Sequence, residues 1–128
     1  MPGTIESCIN KIVRDASLTP HAGVVDRDAL REIEGLVGRA RVDALLGALH
    51  NEIRGRLLAD GLESEPFCKA AHGLVYASAT LGFSALSRAC IAVEAAYRTG
   101  TEFETRRREA REAAESALAA LLDLRQAA

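Results

Sequence analysis

The sequence predicts an all-α protein, an antiparallel up-and-down four-helix bundle with one or two additional N-terminal helices packed across it. Three observations lead there. Alanine, leucine, arginine and glutamate dominate, tryptophan is absent and aromatic residues make up 4% of the chain, a composition that favours helices over a sheet. Apolar residues recur three and four positions apart in long segments, the spacing that places them on one face of a helix. Glycines fall where those segments stop, and no strand alternation, internal repeat, low-complexity stretch or long linker interrupts them.

Taken in order, residues 4–16 carry Ile5, Cys8, Ile9, Ile12 and Val13 at helical spacing, and the pattern breaks between Ser17 and Pro20. A second helix opens after Asp26, a good N-cap, with Val25 and Leu30 spaced for a hydrophobic staple. Leu30, Ile33 and Val37 form its stripe, and Gly38 suits its end. The third helix spans about 39–60, along a seam of Val42, Leu45, Leu46, Leu49, Ile53 and Leu57, and stops at Gly61. Gly47 and Gly55 inside it should each cost roughly 1 kcal/mol relative to alanine, and close packing is the expected reason for them.

The fourth helix starts near Ser64, with Pro66 tolerated in its first turn, and ends at Gly82. Its inward face is expected to be Phe67, Ala70, Leu74, Ala77 and Leu81. Ser84 is expected to cap a fifth helix with Leu86, Cys90, Val93 and Tyr97 inward, ending at Gly100. Thr101 to Glu104 then reads as a capping box opening the sixth, with Phe103, Ala110, Ala114, Ala117, Leu118, Leu121 and Leu124 inward. Short connections between long amphipathic helices imply antiparallel neighbours, so the helices from about 39, 65, 84 and 102 form the bundle.

A chain of 128 residues is about one domain. A net charge of −2 predicts no general attraction to nucleic acid or to an anionic membrane. The run Arg106-Arg107-Arg108 is interleaved with Glu104, Glu109, Glu112 and Glu115 at pairing distance, which reads as a solvated, ion-paired face. No apolar run is long enough to span a bilayer and no basic start leads into an apolar signal core, so a cytoplasmic location is expected. Cys8, Cys68 and Cys90 are odd in number and lack a Cys-x-x-Cys pair, so reduced thiols are expected.

Among the three histidines, His21 in a loop and His50 on a helix have surroundings that suggest nothing beyond polar residues. His72 differs. Counted from Leu74 it lies about 160° round the helix and Tyr76 about 200°, so both face away from the core side. Lys69, Ala79 and Phe83 share that outward strip. An imidazole held out on a helix among small and aromatic neighbours is placed to be reached by another molecule.

From Ala71 the chain reads Ala-His72-Gly-Leu74, followed by Ser78, Gly82, Leu86, Cys90 and Glu94. This resembles the signature of histidine-containing phosphotransfer (HPt) domains, with His-x-Leu-Lys-Gly, a glycine ten residues after the histidine, and leucine, cysteine and glutamate at the further spacings. Val25-Asp26, Leu30, Ile33, Gly38, Leu45-Leu46 and Leu49 are also similar to the family's N-terminal half. The resemblance treats 1–128 as one domain, with 1–23 as an N-terminal helix and loop and 24–125 as the family-like region. It implies a phosphorelay intermediate that accepts a phosphoryl group on His72 from a receiver-domain aspartate and passes it to another receiver. It implies Nε2 of His72 as the acceptor atom and a phosphoryl carrier without its own ATP site. Response-regulator receiver domains and a hybrid histidine kinase are the implied partners, and magnesium is expected on the receiver alone, with no cofactor or metal on this chain. No extra hydrophobic seam demands a dimer, so a monomer is expected.

Two positions depart from the family pattern. Val75 stands where the family favours lysine, removing a positive charge near the phosphoryl group. Tyr76 stands where the family favours glycine, one helical turn from His72 and close enough to touch the imidazole. Lys69, one turn before His72, is a candidate replacement for the missing charge, and Tyr76, Ala79 and Phe83 offer apolar area for a partner. Leu74, Gly82, Leu86 and Cys90 read as structural, and Glu94 as a residue that pairs with an arginine or faces water. These departures keep a second reading open, a bundle that docks or sequesters receivers without phosphotransfer. A third is metal binding through Cys68 and His72, four apart on one helix, extended only by Cys90 or Cys8. No nucleophile elbow, paired-carboxylate motif or glycine-rich phosphate loop points to hydrolysis.

Overall fold

A computed structural model describes residues 24–126; the helix expected over 4–16, together with Cys8 and His21, lies outside the described residues. Among the described residues all regular structure is helical: α1 (Arg27–Val37), α2 (Arg39–Glu52), α3 (Ser64–Thr80), α4 (Ser84–Thr99) and α5 (Phe103–Gln126), packed around one apolar core. None of these helices is long and apolar enough to cross a membrane.

Asp26 caps α1 as the sequence predicts, its carboxylate accepting from the amides of Asp28 and Ala29 at 3.0 and 3.2 Å. Val25 is buried just before it, and Leu30 packs against the same core. Gly38, at φ +90°, both ends α1 and precedes α2. The core side of α2 runs Val42, Leu46 and Leu49, then continues through Ile53 and Leu57 in a π-helical turn, Ile53–Leu57. There the hydrogen bonding widens, Leu58 N donating to Ile53 O at 2.9 Å. Both side chains are fully buried. Close packing does not explain Gly47 and Gly55, since a Cβ at either would meet nothing within 4 Å.

Helix α3 buries Phe67, Ala71, Leu74 and Ser78. Ala77, expected inward, is exposed, and Ser78 takes the inward place. A stripe counted from apolar residues alone misses this serine, whose hydroxyl donates to the carbonyls of Leu74 and Val75 in its own helix and so enters the core with its polar atom satisfied.

The link from α3 to α4 reverses the chain at Gly82, at φ +90°. Asp26 N donates to Gly82 O at 2.7 Å, and a Cβ at Gly82 would stand 2.5 Å from the Asp26 carbonyl oxygen. The reversal also corrects the expectation for Phe83. Extending the helical wheel past Gly82 puts Phe83 on the outward strip, but its amide bonds Ser78 O at 2.7 Å and its ring is fully buried. Burying a ring of that size contributes roughly 2–3 kcal/mol. Phe83, not Ser84, occupies the N-cap position of α4, and no side-chain bond caps that end.

Helix α4 buries Leu86, Ser87, Cys90, Val93 and Ala96, with Ala96 where Tyr97 was expected. Tyr97 sits at the margin, its ring edge-on to Phe103 at 5.8 Å between centroids. The capping box expected at Thr101 does not form. The Thr101 hydroxyl pairs with that of Thr99 at 2.9 Å, and Glu102, at φ 56°, gives its carbonyl to Arg106 N. Along α5 the buried residues are Ala110, Ala114, Ala117, Ala120 and Leu121. Arg106 makes one of the predicted ion pairs, with Glu109 at 2.7 Å, and a further one with Glu102 at 3.4 Å. Arg107 does more than face solvent: its guanidinium lies 4.8 Å from the centroid of the Phe67 ring and donates to the Leu62 carbonyl, tying α5 to the segment that leads into α3.

Two glycine substitutions should move stability in opposite directions. Gly82→Ala forces a Cβ onto the Asp26 carbonyl at a positive φ and is expected to cost about 2 kcal/mol or more. Gly47→Ala adds a helix-favouring methyl in open space and is expected to gain about 1 kcal/mol. Urea unfolding followed by circular dichroism reads both as shifts in midpoint at constant slope.

Candidate functional site

Helices α3 and α4 fold back on one another from Gly82, and side chains close across them in order. Ser87 Oγ donates to Val75 O at 2.8 Å, and farther from the link His72 Nδ1 lies 3.0 Å from Glu94 Oε2. Residues whose numbers sum to about the same value therefore lie level, as an antiparallel hairpin requires. Glu94 was read in the sequence as an arginine partner or a solvated carboxylate, and the structure gives it the imidazole. The signal was available: with the turn at Gly82, His72 and Glu94 are nearly equidistant from it.

This contact sets the chemistry of the ring. An ionised carboxylate only accepts hydrogen bonds, so the nitrogen facing it carries the proton. In the neutral imidazole the proton then sits on Nδ1 and the lone pair on Nε2. The Glu94 side chain is largely covered, at 27% exposure, whereas the His72 side chain is 70% exposed. A carboxylate held on one helix thus fixes an imidazole displayed from the next, with its nucleophilic nitrogen unclaimed by that contact.

The rest of the predicted strip divides. Tyr76 is 79% exposed and Ala79 is also exposed, so the phenol stands out into solvent instead of sealing the imidazole. Lys69 pairs with Glu65 at 3.3 Å, both side chains well exposed, an arrangement that contributes at most a few tenths of a kcal/mol. Val75 is half-buried against the core, and its carbonyl accepts the hydroxyls of Ser78 and Ser87. Phe83 leaves the strip for the core. From α4 the structure adds Ile91, half-exposed, and Arg98, exposed, one turn to either side of Glu94.

Cys68, one turn before His72, is partly covered. Burial pushes its thiol pKa up, the Glu94 carboxylate adds to the rise and Arg98 opposes it. Cys90 is fully buried, its thiol pushed up to about 12 by burial and then by Glu94. With Cys90 in the core, Cys68 and His72 gain no third ligand from it, and no group of three or more His, Cys, Asp or Glu among the described residues is placed to hold a metal ion. His50 is half-buried in the last turn of α2. No protein-family model, curated protein or solved structure matches the chain.

Removing the carboxylate should release the tautomer. In long-range proton–nitrogen spectra recorded well above the ordinary histidine pKa of about 6.5, wild-type His72 is expected to show the Nδ1-protonated form. Glu94→Ala should shift it toward the Nε2-protonated form, while His50 is unchanged. For the thiols, maleimide labelling at pH 8 should leave Cys90 unmodified in the folded protein and modify it fully in urea, as mass spectrometry reads directly.

Proposed function

We propose that this protein is a histidine phosphotransfer component of a two-component phosphorelay, a cytoplasmic carrier that takes a phosphoryl group onto His72 from a receiver-domain aspartate and passes it to a second receiver. The observation that carries the reading is the 3.0 Å contact between His72 Nδ1 and Glu94 on an otherwise exposed imidazole, which leaves Nε2 as the nucleophile. The similarity to HPt domains in the spacing of His72, Leu74, Gly82, Leu86, Cys90 and Glu94 supports the same reading. On this reading α2 to α5 form the antiparallel up-and-down bundle, α1 packs across it, and the protein acts as a monomer.

The Nε2 lone pair attacks phosphorus in line with the carboxylate oxygen of the aspartyl phosphate. The N–P bond forms as the P–O bond breaks, and the receiver's aspartate leaves as a carboxylate. Nδ1 keeps its proton, and the positive charge gained by the ring faces the Glu94 carboxylate. Transfer to the second receiver reverses these events. Magnesium and the acidic pocket belong to the receivers. No kinase activity or ATP site is assigned to this chain.

A second reading, a module that docks or sequesters receivers without relaying phosphate, draws on Tyr76, a large exposed aromatic ring one turn from His72. Incubation with labelled phospho-receivers separates the two. Under the carrier reading, wild type acquires acid-labile label, His72→Ala acquires none, and Glu94→Gln is labelled about tenfold more slowly. Receiver binding with no label on wild type would replace the carrier reading by the docking one.

A further inference from the structure

We propose that Arg98 supplies the positive charge that meets a phosphoryl group carried on His72, a role that rests on the carrier reading above. The need is set by the sequence: a phosphoryl group brings close to two negative charges to the imidazole, and the helix that bears His72 offers little against them. Val75 is uncharged and half-buried, and the ammonium of Lys69 is engaged by Glu65. Glu94, the nearest carboxylate, repels the phosphoryl group while it steadies the ring. Lys69 is shared with Glu65 in an exposed pair, and α4 offers a further cation.

Arg98 follows Glu94 by four residues, one turn along the same face of α4. Because α3 and α4 are antiparallel with His72 level with Glu94, the residue level with Arg98 on α3 is Cys68, one turn before His72. Arg98 thus stands beside the α3 turn from which the imidazole projects, within reach of an arginine side chain. The proximity has an electrostatic trace at Cys68, where Arg98 opposes the rise caused by burial and by Glu94. Arg98 is exposed and forms no ion pair among the described residues, so its donors are available for an anion. A guanidinium offers five of them in a planar fork matched to phosphoryl oxygens. Carboxylate and guanidinium on one face of α4 would act together, Glu94 on Nδ1 and Arg98 on the group attached to Nε2.

The experiment uses two donors, phosphoramidate, which phosphorylates histidine without protein docking, and a labelled phospho-receiver. With phosphoramidate, Arg98→Ala is expected to form phosphohistidine about tenfold more slowly than wild type. Arg98→Lys should recover most of that rate, and Lys69→Ala should stay within twofold of wild type. Because no receiver is present in this arm, a slower rate reports charge at the acceptor, separate from docking. Equal rates for wild type and Arg98→Ala, or an Arg98→Lys as slow as Arg98→Ala, would overturn the role and leave the carrier reading intact. Wild type labelled by phosphoramidate but by no phospho-receiver would remove the carrier reading and, with it, the functional setting of Arg98. The circular dichroism of each variant, expected to match wild type at this exposed position, confirms that the rates compare folded proteins.

Discussion

At Gly82 the backbone turns at φ +90° while the Asp26 carbonyl occupies the space a Cβ would fill. Those two conditions, a positive φ and a backbone approaching to within contact, leave glycine as the unstrained residue. The reversal made there aims Phe83 into the core and starts α4 back along α3 in a fixed register. From that register follow the bond from Ser87 to Val75 and, two turns farther along α4, the contact between His72 and Glu94. The same glycine receives the amide that leads into α1, so one residue joins the N-terminal part of the described chain to the hairpin bearing the candidate site.

The site itself is assembled from modest parts. Neither His72 nor Glu94 is deeply buried, and the pair lies at the rim of a core that contains Leu74, Leu86, Cys90 and Val93. The core supplies rigidity: small and medium side chains fill the α3–α4 seam, and Ser78 and Ser87 enter it with their hydroxyls paired to carbonyls of α3. No buried side-chain polar atom among the described residues lacks a hydrogen-bond partner, so the platform carries no polar strain that would favour local opening. A platform of this kind can hold an imidazole steady while exposing most of it.

Much of this was legible in the sequence because the signals were periodic. Helix ends at Gly38, Gly82 and Gly100, the Asp26 cap and the seam from Val42 to Leu57 follow from local rules that tertiary packing did not override, whereas the helix expected to run to Gly61 closes at Leu57 through its π-helical turn. Most of the failures share a cause: they required knowledge of a neighbour on another segment. Phe83 was misplaced because a helical wheel cannot register a chain reversal. Ser78 was overlooked because burial was equated with apolarity. Arg107 looked like one of three solvated cations, since its ring partner Phe67 is 40 residues away in the chain. Glu94 was undervalued because its contact with His72 arises only when α4 is laid beside α3. His72 itself was placed correctly on an exposed face, with Tyr76 beside it and Lys69 nearby, because exposure of one helix face is a property of that helix alone.

The contact between the imidazole and the carboxylate spans two helices, and this bears on how such a strip could be transplanted. A single peptide carrying the sequence around His72 would display the ring without the neighbour that orders its protons. Both arms of the hairpin, with the glycine between them, make up the smallest unit that preserves the geometry. Mutational drift would be constrained accordingly: a slip of one residue in either arm rotates its partner by roughly 100° and separates the two groups, even when every hydrophobic position remains filled.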